Sequence, residues 1–256
     1  MNLQKRAEAL FAGTKCDKSV LCQALDDDKP LISINPDAVF SSASVIKASI
    51  LLTLLEQSRL GALSLEQTVN VEHITGDSIV FDSGPRKAGL RELAVWMTIL
   101  SDNTSTNALI DILGFDTVNA YMRDIGLKHT VLRRKMLDFA ARRAGADNLT
   151  NAVDMFMLFK YLFGGDKAGH SEAIAILRRQ RSKKGLTRYI WEDAVIAHKT
   201  GGLDYLSHDA GVFSFGDKHV FAGVFLWNTE RIEGDPRLIG SAGRLVFDYF
   251  RKGSYD

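Results

Sequence analysis

The chain has little cysteine: Cys16 and Cys22 are the only two in 256 residues. At that length, with 46% hydrophobic residues, it can bury a sizeable core without a disulfide framework, so both are expected as reduced thiols. Their spacing fits no zinc pattern and no histidine pair at helical spacing accompanies them, so no metal site and no other cofactor is expected. An excess of one charge is also missing. Lys and Arg number 32 against 31 Asp and Glu, a formal net charge of +1, which supplies no global field for nucleic acid or an anionic membrane. What these absences leave as partner is a small-molecule substrate. No segment reaches the roughly 18 uncharged apolar residues of a membrane span. The stretch from Met1 to Gly13 lacks the apolar core and small-residue site of an export signal, so the expected location is cytoplasmic. No internal repeat or low-complexity linker is visible, and nothing sets an oligomeric state.

What is present falls into three parts. A helix at the amino end is followed by β-prone runs, Ser19 to Ala24 and Leu31 to Ile34, around the acidic turn Asp26-Asp27-Asp28, which predicts a hairpin. From Ala43 to Gln57 the sequence is apolar on nearly every side (Val45, Ile46, Ile50, Leu51, Leu52, Leu54, Leu55), the mark of a helix buried all round. Further helices are predicted over Leu90 to Leu100, Asn107 to Leu113, Thr117 to Ile125 and Asn151 to Phe163. The tail returns to β-rich runs, Ala194 to Lys199, His208 to Phe215 and His219 to Trp227, before a closing helix from Leu238 to Arg251. Strands at both ends with helices between them imply an α+β fold whose one sheet is assembled from both termini.

Three segments could carry chemistry. In Ser41-Ser42-Ala43-Ser44-Val45-Ile46-Lys47, one helical turn puts the Ser44 hydroxyl and the Lys47 amine on the same face. A Lys at the head of an otherwise apolar helix has its pKa lowered by burial and by the positive helix end, as a general base near neutral pH requires. The bland reading makes Ser44 an N-cap and lets Lys47 snorkel to the surface. Ser101-Asp102-Asn103 reads either as a helix end running into the next N-cap or as a second hydroxyl for proton relay beside an amide clamp. Lys199-Thr200-Gly201-Gly202, closing a β-run, reads either as a turn with a Lys-blunted edge or as an edge strand that meets an acidic substrate group through Lys199 and Thr200. In the second case the Gly202 and Ser44 N–H groups would form an oxyanion hole.

In this order, Ser-x-x-Lys, Ser-Asp-Asn and Lys-Thr-Gly resemble the three signature elements of the class A β-lactamases and penicillin-binding proteins. The resemblance runs from about Leu31 to the carboxyl end. It implies a β-lactamase-like fold: an antiparallel sheet domain from residues 1–40 and 190–256, flanked by helices, an all-helical domain from 41–189, and an active site between them. It makes Ser44 the nucleophile, Lys47 its base, Ser101 the proton shuttle, Asn103 a polar clamp, Lys199 and Thr200 substrate contacts and Gly202 an oxyanion donor, with Asp102 a structural cap. The activity implied is a serine hydrolase acting on a small amide, ester or lactam that carries a carboxylate.

One departure matters. Class A β-lactamases carry a Glu-x-x-Leu-Asn loop whose Glu activates the deacylating water, whereas no Glu occurs here between Asn103 and Glu172. The corresponding stretch runs Leu132-Arg133-Arg134-Lys135-Met136-Leu137-Asp138-Phe139-Ala140, in which neither Met136 nor Ala140 can replace the missing pair. Asp138 is the nearest carboxylate and the one candidate for water activation, against a local role as ion-pair partner or helix cap. The run from Arg178 to Arg188 is read as a solvated face. His198 is read as structural, because strand alternation turns it away from the face of Lys199. The missing Glu also suits a D-alanyl-D-alanine-type peptidase, which the expected location disfavours. A binding module that has kept the pocket and lost turnover is the reading from a different class.

Overall fold

The computed structural model describes residues 2–82, 87–165 and 169–251. After α1 (Leu3–Phe11), β1 (Asp17–Ala24) and β2 (Ile32–Ile34) form the expected antiparallel hairpin. A short β3 (Phe40–Ser41) then leads through a 3-10 turn, Ala43–Ile46, into α2 (Lys47–Arg59). The middle of the chain comprises β4 (Thr68–Asn70), α3 (Ile79–Asp82), β5 (Lys87–Gly89), α4 (Leu90–Ile99), α5 (Asn103–Leu113), α6 (Phe115–Asp124), α7 (Phe139–Arg143), β6 (Leu149–Thr150), α8 (Ala152–Phe163) and α9 (His170–Leu177). The tail supplies β7 (Val195–Leu203), β8 (Leu206–Phe215) and β9 (Lys218–Trp227), then α10 (Pro236–Arg251).

The two ends of the chain build one five-stranded sheet in the order β2-β1-β9-β8-β7, antiparallel throughout. Both of its faces are buried, and the side-chain period of two sorts its residues between two cores. Leu21, Ala197, Ala210, Val212, Phe221 and Phe225 face the core they share with α2, α4, α5 and α8. Val20, Cys22, Ile196, Phe213, Val224 and Leu226 face the opposite core with α1 and α10. In α10 the buried residues Leu238, Ile239, Ala242, Val246, Phe247 and Phe250 recur at helical spacing, which fixes the face it lays on the sheet. Among the described residues no helix is long and apolar enough to cross a membrane.

Three local expectations shift. The helix expected from Ala43 begins as a 3-10 turn and becomes regular only at Lys47, because Ala43 itself sits at φ +44° and cannot open an α-helix. The helix expected from Asn107 starts four residues earlier, because the Asp102 carboxylate caps it by accepting from Ser105 N at 2.6 Å. The β-run expected to close at Lys199-Thr200-Gly201-Gly202 continues to Leu203, with Gly202 opposite Ser207 and Leu203 opposite Leu206. The Lys-Thr-Gly-Gly segment is therefore strand, with the turn after it.

Candidate active site

Ser44 lies within the 3-10 turn, whose N-cap is Ser42, so it carries no capping duty. The turn faces β7 at Gly201, where an added Cβ would come 3.1 Å from the backbone nitrogens of both Ser44 and Val45. A side chain there would press the strand away from the turn by a few tenths of an ångström, which glycine avoids. The neighbouring Gly202 has only the Leu206 carbonyl nearby, at 3.9 Å from such a Cβ.

Lys47 does not snorkel; it is fully buried at the head of α2. Its Nζ donates to the Ser101 carbonyl at 2.7 Å and to Asn103 Oδ1 at 2.8 Å, and lies 3.2 Å from Ser101 Oγ. Burial pushes its pKa well below the ordinary lysine value, the nearby charge of Lys199 pushes the same way, and Asp102 opposes them. Lys199, also fully buried, donates to the Thr200 carbonyl at 2.9 Å and to Ser101 Oγ at 3.2 Å. Its pKa is lowered to about 7 by burial, against the pull of Asp209. Ser101 Oγ thus sits between two amines.

Ser101 is held in a left-handed backbone conformation, φ +59°, which costs a non-glycine residue about 1–2 kcal/mol. Its neighbours hold it there. Lys47 grips its carbonyl, and Asp102, next along the chain, accepts from Ser105 N and, at 3.0 Å, from Ile79 N.

The far side of β7 is equally closed. His198 Nδ1 lies 2.9 Å from Asp209 Oδ1 within the core, and Asp209 Oδ2 accepts from Leu186 N at 2.7 Å. His198 therefore supports the strand from the face away from the cleft. His208 has its pKa lowered to about 4 by burial, opposed by carbonyl contacts to Ser41 and Ser207. Its Nε2 lies 2.9 Å from the Ser41 carbonyl, and its Nδ1 2.8 Å from the Ser207 carbonyl and 3.2 Å from Leu226 N, tying β8 and β9 to the residues just before Ser44.

Ser44, Ser101, Asn103, Thr200 and Gly202 all line one open cleft of about 520 Å³, with Leu100 and Arg181 on its rim. Lys47 and Lys199 form its floor through Ser101. The basic run expected to be a solvated face is only partly that, since Gln180, Arg181 and Ser182 belong to the cleft wall. Asp138 is placed elsewhere: it is exposed and caps α7 by accepting from Ala141 N at 2.9 Å.

The segment that would have to supply a deacylating base is fixed by a residue that the motifs did not single out. Asn107, on α5, accepts from Met136 N at 2.7 Å and donates to the Met136 carbonyl at 3.2 Å. Arg134, itself buried, pairs with Asp147 at 2.8 Å across the same loop. These bonds present Met136 as a buried thioether at the centre of the Leu132–Ala140 stretch. Residues 29 apart in sequence make the Asn107 clamp, and nothing in the Thr104-Ser105-Thr106-Asn107 stretch marks its partner.

A family model described as the beta-lactamase enzyme family matches residues 2–250. Among solved structures, a leucine-to-glutamate mutant of PBP-A, described as an acyl-enzyme complex with penicillin G, is 25% identical, with 98% of this chain and 96% of that one covered at a TM-score of 0.86. A β-lactamase from Chitinophaga pinensis is 22% identical over 97% and 99% of the two chains at a TM-score of 0.89. A class A β-lactamase representative from Bacteroides cellulosilyticus is 20% identical over 98% and 97% at 0.87. No curated protein matches the chain.

Proposed function

The chain belongs to the beta-lactamase enzyme family and is a β-lactamase-like serine hydrolase; from that premise we propose that it acylates Ser44 readily and releases the acyl group slowly. The carrying observation is the contrast between the Lys47–Ser101–Lys199 network and the apolar Met136.

In neutral Lys47 two N–H bonds meet the two close acceptors, the Ser101 carbonyl and Asn103 Oδ1, so the lone pair is left on the remaining side, where Ser101 Oγ lies 3.2 Å away. There it takes the Ser44 proton as Oγ bonds to the substrate carbonyl carbon. The oxyanion meets the N–H groups of Ser44 and Gly202. Once Lys47 carries that proton, its third N–H and Lys199 can both donate to Ser101 Oγ, which turns its own proton toward the cleft. When the C–N or C–O bond breaks, that proton goes to the leaving group and Ser101 is reprotonated from Lys47, which returns the network to its starting state. Asn103 orients Lys47 and the acyl side of the substrate. Lys199, while charged, and Thr200 meet a carboxylate on the leaving side.

The second half-reaction needs a water with a base beside it. Met136 offers none, and Asp138 is committed to its cap. Slow release is also what a D-alanyl-D-alanine-type peptidase shows toward β-lactams, and Met136 is the observation that favours this alternative. Intact-protein mass spectrometry after mixing with penicillin G tests the reading. The added mass should map to Ser44 and persist for minutes or longer. Immediate return to free enzyme would overturn slow release, and failure of both penicillin and a general serine-directed acyl probe to label Ser44 would overturn the nucleophile.

A further inference from the structure

Beyond the Thr200-Gly201-Gly202 edge the cleft adjoins a second cavity of about 400 Å³, and the two share Ser182 as well as that edge. Its walls carry four cations, Lys184, Arg188, Arg231 and Arg237, and two acids. Both acids are engaged: Asp235 caps α10 by accepting from Leu238 N at 3.1 Å, and Glu233 lies 4.0 Å from Arg231. Lys184, Arg188 and Arg237 have no acidic partner among the described residues.

Arg188 is the telling member. Its Nε is buried with no hydrogen-bond partner, and its side chain packs on α10 at Gly240, where a Cβ would come 2.6 Å from Arg188 Cβ. The segment that carries it is anchored by the Leu186 N–H donated to buried Asp209. Arg188 is half-buried with its guanidinium over the Tyr189 ring at 5.6 Å, and its buried Nε offers an anion in the cavity a donor that no protein acceptor takes.

We propose that this cavity is a second anion subsite, and that the preferred substrates are acyl amides whose leaving amine carries two acidic groups. The inference rests on the acyl-enzyme reading above. The first acidic group meets Thr200 and Lys199; the second, a carboxylate or a phosphate, enters the cavity against Arg188 and Arg237, with Lys184 at its rim. The Ser44 Oγ–C bond forms, the C–N bond breaks, and the amine leaves with the proton of Ser101, which the proton that Ser44 gave up replaces by way of Lys47. The leaving product is a dicarboxylic or phosphorylated amino acid.

Isothermal titration calorimetry on the Ser44→Ala protein tests this without turnover, using N-acetyl-L-glutamate, its singly acidic counterpart N-acetyl-L-glutamine, and N-acetyl-O-phospho-L-serine. At least one of the two doubly acidic ligands should bind about tenfold or more tightly than the glutamine compound, the scale of a charge-assisted contact. The tighter of the two identifies the acidic group. The preference should shrink with added salt and collapse in Arg188→Gln and in Arg237→Gln, the latter an exposed position where folding is not at stake. Equal affinity for all three ligands, no binding of any, or a preference that survives both substitutions overturns the proposal. Labelling of the unaltered protein with penicillin and with a serine-directed acyl probe, run in parallel, separates the two levels: labelling without anion preference defeats only the second subsite, whereas failure of both to label Ser44 defeats the acyl-enzyme reading itself.

Discussion

The floor of the cleft and the loop around Met136 are built with equal care and to opposite chemical ends. On the floor, Lys47, Ser101, Asn103 and Lys199 are joined by hydrogen bonds of 2.7 to 3.2 Å, and burial turns both lysines toward their neutral forms. At the loop, Asn107 holds the Met136 backbone from both sides and Arg134 pairs with Asp147, yet the side chain so placed has no proton to give or take. The difference teaches that positional order and reactivity are separable: one scaffold can fix two segments, of which only one completes a step of the reaction.

The largest break in that contrast is Ser44→Ala, which should abolish the penicillin adduct in mass spectrometry while leaving the fold intact, because it removes only the attacking oxygen. Lys47→Ala should slow acylation by about 10²–10⁴-fold in stopped-flow measurements, the usual worth of general-base assistance. Met136→Glu works from the other side. A carboxyl on the backbone position that Asn107 clamps, its pKa raised by burial, should shorten the adduct lifetime by about 10²-fold or more and give steady-state turnover. An unchanged lifetime in a folded Met136→Glu protein would mean that the barrier to release lies outside this loop.

The pH profile separates the two lysines. Lys47 acts neutral, so kcat/KM should rise as pH climbs through its lowered pKa. Lys199 acts charged, so for a carboxylate-bearing substrate kcat/KM should fall as pH passes about 7. A neutral substrate should lack the falling limb. Because the charge of Lys199 helps to lower the Lys47 pKa, Lys199→Ala should also move the rising limb to higher pH. The smallest effect belongs to Asp138→Ala. It should cost about 1 kcal/mol of stability in chemical denaturation through loss of a helix cap, and leave the adduct lifetime unchanged. A longer lifetime would make Asp138 the water-activating group after all.

Much of this was legible in residue order. The strand runs at both ends and the all-round apolar Ala43–Gln57 stretch announce the sheet and the buried helix, because periodicity records which faces are covered. The three motifs put the right chemical groups on the list, but not their geometry. A 3-10 turn of four residues, Ala43–Ile46, is too short for its period to be told from that of an α-helix. The positive φ of Ser101 has no signature when the residue is not glycine. Gly201 reads as one glycine of a turn until the nitrogens of Ser44 and Val45 are found against it. Arg188 and Arg237 are 49 residues apart in number and meet at one cavity only because α10 crosses beside the 185–189 segment. A charge run by itself does not say which of its members face inward.

The sheet order carries a further consequence, for how the protein is made. Asp17 pairs with Trp227 and Ala24 with Val220, so β1 has its main neighbour only when nearly the whole chain exists. Ser44 and Lys47 are synthesised early, but the strand that brings Lys199 and Gly201 against them comes some 150 residues later. Pairings this distant in sequence close slowly and late. On the ribosome Ser44 and Lys47 therefore wait without Lys199 and Gly201 beside them, and the cleft is completed only as the sheet closes.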